Sequence, residues 1–263
     1  MEAWLNQPIL QATLAPFAAG FLVALVLFKL RLGGLAATAG FCATAWLIGE
    51  LRLSSKLMQV ALAAPAVGLL ADLALRPGRA AAYVFGLLAA IAAVWVFPSA
   101  VLQKAPVQAF IVGGGIALFV AWTVAFSASL HANSVRAGAA GLGLGLGAGC
   151  AALASGAASF GYLGLALGAA SGAFLFVQMM VGRIEAGLVF CLAAGVQATL
   201  VAAAARIHGT LGWTALAILA AVPLAARLPL PMRWPVWGQV ILASIYTVAC
   251  GGAAAAVRFL ATR

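Results

Sequence analysis

Apolar residues run along this chain in long unbroken stretches that stop at short clusters of charge, proline or glycine. The stretches fall at 11–30, 33–50, 57–75, 81–101, 106–129, 137–156, 159–181, 186–205, 211–226 and 235–258. Each is close to the ~20 residues with which a helix crosses a ~30 Å hydrocarbon core. Their hydrophobicity is continuous, not alternating, and they are about twice as long as barrel strands, so the pattern predicts helices. The sixth stretch is rich in glycine, and the ninth meets Pro223, Arg227, Pro229 and Pro231 near its end, which puts the expected count of crossings at eight to ten. Short connectors pack sequential helices antiparallel. The expected fold class is an all-α polytopic membrane bundle of about ten helices, with 1–263 a single membrane domain.

The two halves of the chain echo each other. Leu62–Arg76 matches Leu192–Arg206 at an offset of 130, Lys104–Gln108 matches Arg233–Trp237 at 129, and Leu88-Ala-Ala matches Leu219-Ala-Ala at 131. These offsets predict repeat units 1–130 and 131–263 of five helices each. Five is odd, so the second unit enters the membrane inverted, the arrangement of alternating-access carriers with a site near the midplane. Chance agreement between two Ala/Leu-rich helices is the alternative reading of the same matches. Ten short helices in a 5+5 arrangement, together with the stretch Leu47-Ile-Gly-Glu-Leu-Arg-Leu-Ser-Ser55, resemble the drug/metabolite transporter superfamily and its Gly-Glu-Arg-Leu turn. Here the stretch follows the second span instead of the fourth and has no second copy, so no functional residue is carried over.

Composition sharpens the environment: 66% of the residues are hydrophobic and only four, Glu2, Glu50, Asp72 and Glu185, are acidic. Lipid must be the solvent for most of the chain. Pumps, proton-coupled carriers and cation channels usually carry ionisable groups within their spans, and few are on offer. The 14 Lys and Arg are spread one or two per loop, which anchors helices and forms no nucleic-acid face. Loops after odd-numbered spans hold Lys29, Arg31, Arg76, Arg79, Arg136, Arg183, Arg227 and Arg233, against Arg52, Lys56, Lys104, Arg206, Arg258 and Arg263 on the other side. This slight bias leans towards both termini outside the cytoplasm. Met1–Pro8 has no signal-peptide pattern, so the first run is expected to stay as a span. Cys42, Cys150, Cys191 and Cys250 stand singly and no metal, haem or disulfide spacing occurs, so no cofactor is expected.

Candidate chemistry is sparse. Gly141, Gly145 and Gly149, like Gly164, Gly168 and Gly172, are four apart and form strips for close helix packing. Gly113, Gly114 and Gly115 mark a close-packing site or a break that lines a cavity. Pro65 and Pro223 are expected to kink their helices. Gln178 and Gln197 are amides deep in lipid, suited to interhelical bonding or to a neutral or zwitterionic substrate, with Trp122 a pocket wall or a packing residue. Asp72 pairs with Arg76 on one helix face or titrates with transport. His131 and Asn133, beside Arg136, read as head-group contacts or a helix cap. Trp46, Trp95, Trp213, Trp234 and Trp237 sit near span ends as anchors. No Gly-x-Ser-x-Gly or paired-acid set supports an intramembrane enzyme.

Two functions fit. The first is a bacterial-type inner-membrane carrier for a small neutral, zwitterionic or amphipathic solute, its path lined by Gln178, Gln197, Trp122 and Gly113–Gly115, with Asp72 for proton coupling. The second is an integral subunit or assembly factor of a larger membrane complex, built on Gly/Ala faces. Membrane lipids, and protein partners or a second copy, are the expected partners.

Overall fold

A computed structural model describes residues 8–28, 32–49, 55–74, 78–103, 105–182, 184–231 and 233–260. Among them the main elements are ten apolar helices and there is no strand: α1 Leu14–Leu27, α2 Ala36–Leu47, α3 Lys56–Ala74, α4 Arg79–Val96, α5 Pro106–Ala128, α6 Ser134–Ala154, α7 Ala158–Val181, α8 Gly187–His208, α9 Trp213–Ala225 and α10 Val236–Leu260. Short turns at Pro8–Gln11, Gly33–Leu35 and Pro98–Leu102 complete the helical segments. Seven helices are long and apolar enough to cross a membrane: Ile9–Leu27, which extends α1, together with α3, α5, α6, α7, α8 and α10. The apolar runs Gly33–Leu47, Ala80–Val96 and Trp213–Ala225 are shorter. At 1.5 Å per residue the 13 residues of α9 reach only about 20 Å, short of a ~30 Å core.

The centre of the bundle is α8, whose apolar window is wholly buried by its neighbours. Around it stand α3, α5, α6 and α7. α6 runs between α7, α8 and α10, and its packing explains its glycines. A methyl group placed on Gly145 would lie 2.7 Å from Gly168 Cα, and one on Gly149 would lie 2.9 Å from Gly164 C. On another face of α6, Gly143 and Gly147 meet Thr247 and Gly251 of α10 just as closely. Backbones touch along both seams, so dispersion contacts are made between whole main chains where lipid tails would otherwise pack equally well. Gly141 lies instead against Ser171 and Phe190, and Gly172 reaches Leu142 Cδ1 at an ordinary 3.6 Å.

α5 runs as one unbroken helix through Gly113, Gly114 and Gly115, so these residues form no break. α3 likewise continues through Pro65. Pro65 lacks the N–H that would bond the Ala61 carbonyl four residues back. That carbonyl accepts a bond from Gln197 Nε2 of α8 at 3.0 Å. A proline in one helix and an amide in its antiparallel neighbour therefore satisfy each other.

A five-helix duplication would make α1–α2 correspond to α6–α7, α4–α5 to α9–α10, and would pair α2 with α7 and α3 with α8. All of these pack. However, α6 also packs closely on α8 and α10, and no comparable contact joins α1 to α3 or α5. The second half is a tight cluster around α6 and the first is not, so helix packing does not by itself establish a repeat. The stretch 1–7, Lys29, Arg31, Glu50, Arg52, Arg76, Lys104, Arg183 and Arg263, invoked in the sequence reading, lie outside the described residues.

Candidate functional site

Two polar concavities open at the end of the bundle where α3, α5 and α9 finish and α4, α6 and α8 begin. The first, about 530 Å³, is lined by Tyr83 of α4, Phe126 and Ser129 at the end of α5, Arg136 of α6 and Arg227 after α9. The second, about 700 Å³, is lined by Asp72 of α3, His131, Ser134, Glu185 and Val189. They meet at Ala132 and Asn133 in the α5–α6 connector.

Local chemistry explains why these side chains converge. After α5 the chain folds back on its own last turn: Asn133 N donates to Leu130 O at 2.8 Å, and His131 Nδ1 lies 2.9 Å from Ala128 O. Asn133, in extended geometry, then caps α6 by accepting from Arg136 N at 3.2 Å. Arg136 Nη2 donates to Leu228 O at 3.4 Å, while Arg136 Nε is buried without an acceptor among the described residues. Arg227 Nη2 donates to Ser129 Oγ, and its guanidinium stands 4.6 Å from the Phe126 ring centroid. Both arginines thus clamp the end of α9 to the α5–α6 connector.

In the second concavity Asp72 is engaged across helices. Its Oδ1 accepts from Leu188 N at 2.9 Å and its Oδ2 from Val189 N at 3.1 Å. The carboxylate caps the N-terminus of α8, where a negative charge faces the positive end of the helix dipole. Gly187 makes room for it. Its φ of 64° favours glycine, and a methyl group there would collide with Asp72 Oδ2. Glu185 is exposed on the same rim.

The other sequence candidates are dispersed. Gln178 is fully buried in α7, and neither amide atom has a hydrogen-bond partner among the described residues. Gln197 serves α3, with its Oε1 buried and unpartnered. Neither lines the concavities described here. Trp122 and Gly115 border an apolar groove of about 580 Å³ between α5 and α9, where Trp122 Nε1 donates to Ala220 O at 3.2 Å and Gly115 faces the Trp213 ring. Gly113 approaches Val101, and Gly114 has nothing within 4 Å of a built methyl group. Gln178, Gln197, Trp122 and the three glycines therefore do not share one cavity. At the opposite end, Lys56 stands over Trp95 and Arg206 over Trp213 at 5.0 and 4.8 Å. No group of three metal-ligating side chains occurs among the described residues.

Sequence reasoning passed over Arg136 and Arg227 as loop anchors. One signal was available: Arg136 falls in the first turn of α6, where a cation opposes the helix dipole.

No protein-family model matches this chain, and no curated protein matches it. The fold is an all-helical bundle whose seven long apolar helices fit a multi-pass integral membrane protein.

Proposed function

We propose that this protein is a permease of the bacterial inner membrane that moves a small zwitterionic or amphipathic solute. The observation that carries this reading is the pair of adjoining polar concavities at one end of the bundle. They measure about 530 and 700 Å³, within the ~300–1,000 Å³ range of small-molecule sites. Arginine, asparagine, serine and histidine line them within a chain otherwise poor in polar groups. Closely apposed Gly seams of α6 with α7 and α10 offer surfaces for small shear displacements, the kind of motion by which packed helices re-open a path. All ten helices would cross the membrane, α2, α4 and α9 with the help of neighbours. Proton coupling through Asp72 has less support, because its oxygens hold the α8 N-terminus.

A second reading, an integral subunit of a larger complex, is favoured by the apolar α5–α9 groove of about 580 Å³, which leaves Trp122 and Leu118 exposed for a partner to cover. The test is flux of zwitterionic and amphipathic solutes into proteoliposomes holding the full chain, with Ala132→Trp to fill the junction of the concavities. Ala132 is exposed, so the variant should fold; transport should fall at least about tenfold, because the indole would occupy the junction that a cargo has to share and weaken its binding by about 1.4 kcal/mol or more. Unchanged flux in that variant would take the concavities out of the transport path, and absence of flux in the wild type would overturn the permease reading. Absence of any flux, with a stoichiometric partner retained on native purification, would favour the subunit.

A further inference from the structure

We propose that the concavity between Arg136 and Arg227 binds the phosphate of an amphipathic molecule, with the apolar part of that molecule lying along Phe126 and Tyr83. The inference names the charged portion of the cargo on which the permease reading rests, and it is tested by binding instead of flux.

Charge is the first argument. Two guanidinium groups line this concavity and no carboxylate does. The two acids among the described residues, Asp72 and Glu185, border the neighbouring concavity, and Asp72 is already committed to the Leu188 and Val189 amides. Arg136 moreover stands in the first turn of α6, with its charge against the positive end of the helix. An anion between the two arginines would offset both the guanidinium charges and the dipole.

Donor geometry is the second. Guanidinium is a planar fork of five N–H donors matched to phosphate oxygens. Arg227 is held by Ser129 Oγ and by the Phe126 ring, so its fork is pre-oriented. Arg136 spends Nη2 on Leu228 O and Arg227 spends Nη2 on Ser129 Oγ, and the guanidinium N–H groups not used in these bonds can donate to an acceptor from outside the chain.

The surroundings select an amphiphile. Ala82, Ala125 and Leu130 complete the wall beside Phe126. Tyr83 is 66% exposed on a face of α4 that also presents Val84 and Leu87. An acyl chain would lie against that apolar surface while its head group enters the arginine fork, as with basic pockets that bind lipid phosphates between helices.

The experiment measures binding of dihexanoyl phosphatidic acid to the full chain in neutral detergent, by native mass spectrometry. Dihexanoylglycerol serves as the uncharged control and inorganic phosphate as competitor. Arg136→Gln and Arg227→Gln should each weaken binding by about tenfold, as for loss of one charge-assisted contact. Arg227→Lys should fall between. Arg206→Gln, at the opposite end, should leave affinity unchanged. Arg227 is exposed, so its variants keep the test valid even if Arg136→Gln fails to fold. Displacement by inorganic phosphate only in large excess would support a lipid head group. Displacement at equal concentration would overturn the amphiphile and leave a free-phosphate site. Equal binding of dihexanoylglycerol, or unchanged affinity in the Arg227 variants, would overturn the site altogether. Selective binding without flux would sink the permease reading and leave this site standing.

Discussion

Gln197→Leu tests whether that amide is there for α3 or for a cargo. The Ala61 carbonyl is fully buried and has lost its helical donor to Pro65; Gln197 Nε2 supplies the replacement at 3.0 Å. A buried carbonyl left bare costs about 1–3 kcal/mol, and interhelical bonds measured within bilayers average ~0.6 and reach ~1.7 kcal/mol. Leucine also removes the unpartnered Gln197 Oε1, which offsets part of the loss. We therefore expect Gln197→Leu to destabilise the chain by about 1 kcal/mol. Pro65→Ala changes the outcome, since an alanine at this position would restore the N–H and bond the Ala61 carbonyl within the helix. In that background Gln197→Leu should be neutral or stabilising, giving a coupling of about 1 kcal/mol. The assay is reversible unfolding of the full chain in lipid–detergent micelles, followed by circular dichroism for all four proteins of the cycle. An equal cost of Gln197→Leu in both backgrounds would refute the reasoning, and Gln197 would return as a candidate cargo contact.

Other expectations follow from single contacts. Asp72→Ala leaves Leu188 N and Val189 N without their acceptors and should cost about 1–2 kcal/mol, the range for lost caps; thermal unfolding checks it, and an unchanged midpoint would argue against the cap. Gly187→Ala should cost more in the wild type than in the Asp72→Ala background, because the collision with Oδ2 adds to the ~1–3 kcal/mol of backbone strain; equal costs would contradict that geometry. Gly145→Ala forces α6 from α7 and should destabilise by about 1–3 kcal/mol. Gly114→Ala meets nothing within 4 Å and should be neutral or stabilising by up to about 1 kcal/mol. Similar unfolding energies for the two alanine variants would show that the glycine spacing is incidental.

Much of this architecture was written in the chain, and for physical reasons. Apolar runs long enough to cross a bilayer have to close their hydrogen bonds internally, so each run became a helix or part of one. The four-residue glycine spacing placed Gly145 and Gly168 each on one helix face, and in the structure those faces meet. The candidate site was less legible. Arg136 and Arg227 are 91 positions apart by their numbering, and only the way α9 ends against the α5–α6 connector brings them together. The Asp72 cap joins α3 to α8 over a similar gap, while the sequence pointed only to Arg76, its neighbour on the same helix.

What the sequence determined was helix formation and a membrane environment, because both depend on local hydrophobicity. Which helix occupies the centre was decided by the tertiary structure alone. Pro106–Ala128 and Gly187–His208 have the same mean hydropathy, yet 33% of the first window is buried within the protein and 100% of the second. Lipid tails and apolar side chains solvate a helix almost equally well, so hydropathy cannot distinguish a neighbour of one kind from the other. The difference lies in complementary surfaces: the Gly68 approach to Val189, the Asp72 cap and the Ala61–Gln197 bond. Each needs two helices in register, which no single segment encodes.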